Sequence, residues 1–260
     1  PNGLVTVAIT EEPQPAVGTG AGSSPFDQYM PWSGMYVCNL NTNGQETAKQ
    51  GDGSFSYSTA DVMIWIPEFY YYTTESENVR YFYISNKALT NFEKHPGSGR
   101  YVSRYTVGAG YQSVTGVAPL ANITRAQART GITEKGANWF QYDFATYCAI
   151  IWLYIVEFAD WNSQAVIGQG VINASAAINN GGTDSMSYHT GRASGTDGKT
   201  QVQYRHIEDP WGNIWEWIDG ANFNNRAAYI CTNPANYADD TTSNYTSAGV
   251  TLCSSGWIKD

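Results

Sequence analysis

The densest concentration of reactive side chains lies in "YRHIEDPWGNIWEWIDGANFNNR", residues 204–226, which holds four carboxylates, three tryptophans and four asparagines. Glu208, Asp209, Glu216 and Asp219 are the right residue type for the acid and base pair that cleaves glycosidic bonds. Glu216, however, sits between Trp215 and Trp217. On an extended strand it faces away from both, and a carboxylate in such a frame ties down neighbouring backbone amides. A frame is therefore expected here instead of a reaction centre.

Other chemistries find less support. His95, His189 and His206 have no metal-ligand spacing and are expected to be surface or hydrogen-bonded residues. There is no GxSxG elbow, HExxH helix, phosphate-cradling GKS/GKT loop or dinucleotide fingerprint; "GTGAG" at 18–22 runs into Ser and Pro instead of a helix. Cys38, Cys148, Cys231 and Cys253 form no CxxC pair, which leaves no zinc knuckle or thioredoxin-like site. Cys148 lies in an apolar helical run and is expected to be a buried free thiol. Asp239 and Asp240, with Thr241 and Thr242, fall short of an EF-hand spacing, and loop capping is their expected role. No cofactor, no metal and no catalytic residue is expected.

Composition narrows the partners. Lys and Arg number 14 against 23 Asp and Glu, a net charge of −9, so the mean field repels phosphate backbones and nucleic acid is not an expected partner. With only 14% charged residues but 19 Tyr and 26 Gly, neutral polar groups must cover the surface, as in irregular contact loops. The opening "PNGLVTVAIT" lacks an initiating Met and the basic and apolar regions of a secretory signal; the chain is expected to be a piece of a longer protein.

These residues need elements to position them. Residues 10–25, rich in Pro, Gly and Ser, read as a linker after an N-terminal strand. "DVMIWIPEFYYYT" (61–73) and "VRYFYIS" (79–85) read as a hairpin, with Pro67 at an edge or bulge. Phe144, Tyr147, Cys148, Ile151, Trp152, Ile155 and Phe158 recur at helical steps, and Ile150, Leu153, Tyr154 and Val156 fill the opposite side. A long helix buried nearly all round is expected, its uncharged run from Phe144 to Val156 too short to cross a bilayer. A shorter helix around 125–129 takes Thr124 as its cap. Residues 179–200 and 233–249 read as surface loops, and "QVQYRHI", "NIWEWID" and "AAYICT" as short strands of a terminal sheet.

The hexapeptide "GNIWEW" (212–217) resembles the GNVWEW signature of the formylglycine-generating-enzyme type of C-type-lectin-like fold. That fold is shared by sulfatase-modifying oxidases and by variable binding proteins of diversity-generating retroelements. "SPFDQYMPWSGM" (24–35), "IPEFYYYT" (66–73), "YRHIEDPWGNIWEWIDG" (204–220) and "YICTNPANYADDTTSNYT" (229–246) are similar to segments of phage tail host-recognition proteins. The resemblance implies an α+β, C-type-lectin-like fold with small antiparallel sheets, one long buried helix, a shorter helix and extensive loops. It divides the chain into an N-terminal strand and linker (1–23) and a ligand-binding domain (24–260).

Within the signature, Gly212 permits a turn, Asn213 bridges loop backbone, and Trp215 and Trp217 supply buried area around Glu216. The resemblance places the signature strand in the core and the ligand face in the loops after it. The expected contact residues are Asn222, Phe223, Asn224, Asn225, Arg226, Asn233, Asn236, Tyr237, Asp239, Asp240, Asn244 and Tyr245, since Asn and Tyr serve adaptable contact loops well.

The function so implied is non-catalytic binding of a bacterial cell-surface receptor, protein or glycan, without membrane insertion, on a phage tail (virion) or a bacterial cell surface. A homotrimer and retroelement diversification belong to the same resemblance. Two alternatives stand beside it. A formylglycine-type oxidase needs a closely placed pair of reactive cysteines, whereas Cys231 and Cys253 are far apart in sequence. A structural tail or baseplate component would have its terminal loops buried against another subunit.

Overall fold

The computed structural model describes residues 11–95 and 98–252 and the backbone of 258–259. The strand expected within residues 1–10, and Cys253, lie outside them. The chain is a mixed α+β structure with several small, mainly antiparallel sheets and few helices. Its strands in chain order are β1 (Ala16–Val17), β2 (Tyr36–Leu40), β3 (Glu46–Lys49), β4 (Asp61–Pro67), β5 (Tyr70–Ser76), β6 (Val79–Ser85), β7 (Glu93–Lys94), β8 (Gly99–Ser103), β9 (Gly191–Arg192), β10 (Val202–Tyr204), β11 (Ile207–Glu208), β12 (Ala221–Asn224), β13 (Ala227–Ile230), β14 (Thr246–Leu252) and β15 (Ile258–Lys259). The helices are α1 (Arg125–Thr133), α2 (Phe144–Phe158) and the single turn α3 (Ser163–Val166).

The central sheet runs β3-β2-β4-β8, and β4 is its most apolar member, with Val62, Ile64 and Ile66 inaccessible to solvent. The run expected as one hairpin arm divides after Pro67, which ends β4 opposite Gly99. Only the second half enters the hairpin, where β5 pairs with β6 in unbroken register from Tyr70↔Ser85 to Ser76↔Val79. Glu77 (φ 53°) and Asn78 (φ 63°) supply the two left-handed turn positions that a tight hairpin of the right twist requires.

Asp143 starts α2 by accepting the Thr146 N–H at 2.8 Å, and Ala159 ends it in a left-handed cap (φ 51°). The helix is not buried all round. Ala149, Ile150, Leu153 and Tyr154 form the deep face and share the main core with β4 and with Val202 and Tyr204 of β10. The seven-residue face read from the sequence is mostly half-buried; Trp152 stacks on Tyr71 at 5.1 Å and touches Phe82 at 5.0 Å, under the β5–β6 hairpin. Large aromatics fill that half-buried contact, while Ala149 and Leu153 sit in the deepest part of the core. Helix α1 begins at Thr124 with a reciprocal capping box to Gln127.

Two expected loops are pinned. The supposed linker contributes β1, which pairs in parallel with β9 and buries Ala16 completely. In the 179–200 segment, Gly181 and Thr183 donate their N–H groups to the buried Glu208 carboxylate at 2.7 and 2.8 Å. The three segments expected in one terminal sheet separate: "QVQYRHI" forms β10 and β11 beside β9, "AAYICT" gives β13 between β12 and β14, and "NIWEWID" forms no strand. No helix among the described residues is long and apolar enough to cross a membrane.

Candidate functional site

The signature 212–217 is a loop, not a core strand. Gly212 takes φ 85°, and a Cβ there would lie 2.9 Å from the Val171 nitrogen, so the turn needs glycine. Asn213 accepts the Ile178 N–H at 2.9 Å and donates to the Ile178 carbonyl at 3.1 Å, holding both backbone polar groups of that residue. Trp215, expected in the core, is fully exposed, and Trp217 is half exposed with Nε1 donating to the Ile123 carbonyl at 2.8 Å. The physical reason is local. Positive φ at both Gly212 and Asn213 breaks the alternation on which the strand reading rested. Glu216 binds no backbone amide; it accepts the Thr106 hydroxyl at 3.1 Å and keeps open surface.

The backbone-tying role belongs to Glu208 and Asp209. Besides the bonds to Gly181 and Thr183, Glu208 accepts from Gln201 Nε2 at 2.9 Å. Asp209 accepts from Gln201 at 3.0 Å and Asn213 at 3.1 Å. Burial pushes the Asp209 carboxyl up to about 7, helped by the adjacent Glu208 charge and opposed by its hydrogen bonds.

Four of the expected contact residues are internal fasteners. Arg125 Nη2 donates to Asn222 Oδ1 at 2.7 Å, and Asn222 Nδ2 donates to the Ala238 and Thr241 carbonyls at 2.8 and 2.7 Å. Arg129 grips the buried Asp219 with a fork of 2.6 and 2.8 Å and also reaches Asp239 at 2.7 Å. Asp239 is thus held below the ordinary carboxylate range by Arg129 and Arg125 against the opposing effect of burial. Its pairing with two guanidiniums disfavours a cation at this loop, and no described His, Cys, Asp or Glu residues cluster as a metal site. Tyr237 and Tyr245 are buried beside Cys231. Packing wins over the loop-surface reading because a short sheet on the flank of α1 must bury its own small core.

Sequence reasoning missed Arg125 and Arg129 as anchors. Their four-residue spacing on an expected helix places both on one face, which was the available signal for a carboxylate on the opposing segment.

The remaining contact candidates form two surfaces. At the tip of the β12–β13 hairpin, Phe223, Asn224, Asn225 and Arg226 are exposed, with the left-handed turn at Asn225 and Arg226. Beyond the other end of β13, Asn233, Asn236 and Asn244 line one recess of about 320 Å³. Asn233 also caps the short helix Pro234–Asn236. Asp240 is exposed outside both.

A larger cavity of about 630 Å³ opens behind the signature loop. Its walls come from the central sheet (Trp65, Tyr101), from α1 (Ile132), from Trp139 and Tyr142, and from the 214–217 loop. These aromatics are scattered along the sequence, which gave no local signal for the cavity. Two basic side chains on its wall are already paired: Arg100 with Asp143 at 2.8 Å, and Lys135 with Asp61 at 2.6 Å, the ammonium lying 4.0 Å over the Trp139 ring.

Cys38, Cys148 and Cys231 are free; burial pushes the Cys38 thiol up to about 12 and the half-buried Cys148 thiol up to about 11. His95 is fully buried, stacked on Phe69 at 4.9 Å with neither ring nitrogen bonded, contrary to the hydrogen-bonded or surface role expected. His189 bonds Asp27 at 3.0 Å. No protein-family model, curated protein or solved structure matches the chain.

Proposed function

We propose that the chain is a non-catalytic binding domain of C-type-lectin-like fold that engages a bacterial cell-surface receptor, protein or glycan, through its C-terminal sheet. The carrying observation is the convergence of Asn233, Asn236 and Asn244 on one recess, where amide groups can both donate and accept hydrogen bonds. The exposed Phe223 at the hairpin tip offers an aromatic anchor of the type that dominates contact energies. The resemblance of 212–217 to the retroelement and phage tail proteins supports a place on a phage tail or bacterial surface, assembly as a homotrimer, and diversification of the Asn-rich stretch.

The test is a cell-binding titration with Phe223→Ala and Asn236→Ala beside the parent protein. Both variants keep the parent melting temperature and lose binding, Phe223→Ala the more. Undiminished binding by both would remove this face from the reading.

A further inference from the structure

The cavity behind the signature loop is lined by a carboxylate with hydrogen-bonding capacity to spare. Among the described residues, Glu216 accepts only the Thr106 hydroxyl. The buried Gln141 steadies the loop beside it, its Nε2 donating to the Trp217 carbonyl at 2.9 Å.

Charge makes the requirement more specific. The wall cations Arg100 and Lys135 have carboxylate partners, whereas Glu216 has no basic partner among the described residues. Its negative charge is therefore left uncompensated on the wall. Protein packed around Glu216 raises its carboxyl above the ordinary range, against the Thr106 bond, although its open surface limits the effect. Aromatic faces complete the wall, and Lys135 over Trp139 shows one of them already accepting an ammonium.

We propose that this cavity binds a protonated organic amine, with its N–H groups on Glu216 and its hydrocarbon body against the surrounding aromatic rings. An anion would be repelled by the Glu216 charge. A neutral sugar would leave that charge without a counter-ion. The volume lies in the range of small-molecule pockets, roughly 300–1,000 Å³. The site is separate from the Asn-lined recess and does not depend on that recess binding a receptor.

The experiment is a titration of the whole chain, followed by the indole N–H resonances of Trp215 and Trp217, with phenethylammonium, the neutral 2-phenylethanol and a neutral maltotriose. The amine binds saturably and at least about tenfold more tightly than the alcohol, since an ion pair with Glu216 and a cation–π contact act together. Glu216→Gln keeps the parent melting temperature and loses the discrimination, while Glu216→Asp retains part of it. No saturable response to the amine, equal affinity for amine and alcohol, binding of the sugar in preference to the amine, or an undiminished preference in Glu216→Gln would each overturn the proposal.

Discussion

The Tyr237 hydroxyl donates to Asp143 Oδ2 at 2.8 Å, joining the C-terminal segment to the residue that caps the long helix. Asp143 also accepts from Arg100 and from the Thr146 N–H, so one buried carboxylate ties together β8, α2 and the 231–245 loop. A tyrosine that reads in sequence as a contact residue is therefore part of the scaffold.

Tyr237→Phe removes one charge-assisted bond and is expected to cost about 1.5–3 kcal/mol in denaturant unfolding. Tyr237→Ala empties an aromatic site as well and should cost about 3–5 kcal/mol. A loss under about 1 kcal/mol for the alanine variant would mean that the tyrosine is a surface residue after all.

What was legible in the sequence followed from local rules. The cap at Thr124, the apolar run of α2 and the β5–β6 hairpin each rest on residues close together in the chain. What was not legible depended on distant partners. Trp215 and Trp217 were placed in the core because tryptophan is large and apolar, but the turn at Gly212 and Asn213 directs the loop outward. Tyr237, Tyr245 and Asp239 sit in a composition typical of loops, yet Arg125 and Arg129 hold Asp239, Asp143 holds Tyr237, and Tyr245 packs beside Cys231 with its hydroxyl on the Ala238 backbone. The cavity is assembled from widely separated segments, and no one of them gives a local signal for it.

Trp215→Ala tests the corrected placement of the signature. A fully exposed side chain contributes little to folding, so the change should move stability by no more than about 0.5 kcal/mol. Leu153→Ala, at a position with no solvent exposure, should cost about 2–5 kcal/mol in the same assay. Comparable losses for the two would restore the signature to the core.

His95 gives a pH signature. Burial depresses its pKa from 6.5 to about 4, so between those values the unfolded chain binds a proton that the folded chain refuses. Its contribution is full above pH 6.5 and is lost as pH falls to about 4, a difference of about 3 kcal/mol. His189 and His206 are also lowered by burial and act in the same direction. Asp209, raised to about 7, acts oppositely, because the folded chain takes up its proton first. The quantity to measure is therefore the stability difference between the parent and His95→Met, which is similar in volume and forfeits no hydrogen bond. That difference should shift in favour of the variant as pH falls from 6.5 to 4, and a constant difference would show that His95 titrates normally.

The last prediction concerns the buried ion pair of Glu157 and Arg205. Glu157 on α2 is inaccessible and meets Arg205, in the β10–β11 turn, at 2.5 Å, while Tyr204 and Ser24 donate to the same carboxylate at 3.0 and 2.7 Å. Arg205 also reaches Asp27 at 2.7 Å, so the N-terminal segment is fastened through the same charge. Removing either partner leaves the other charged in a low-dielectric site, and Glu157→Leu and Arg205→Met should each cost about 3–5 kcal/mol. The double variant removes both charges at once and should be more stable than either single variant, because the uncompensated charge is the main penalty and apolar side chains can refill the space. Ser24, Tyr204 and Asp27 lose a partner in the double variant, so full recovery is not expected. Chemical denaturation of the four proteins measures the coupling directly, and losses that simply add would show that the two residues stabilise the fold independently of their pairing.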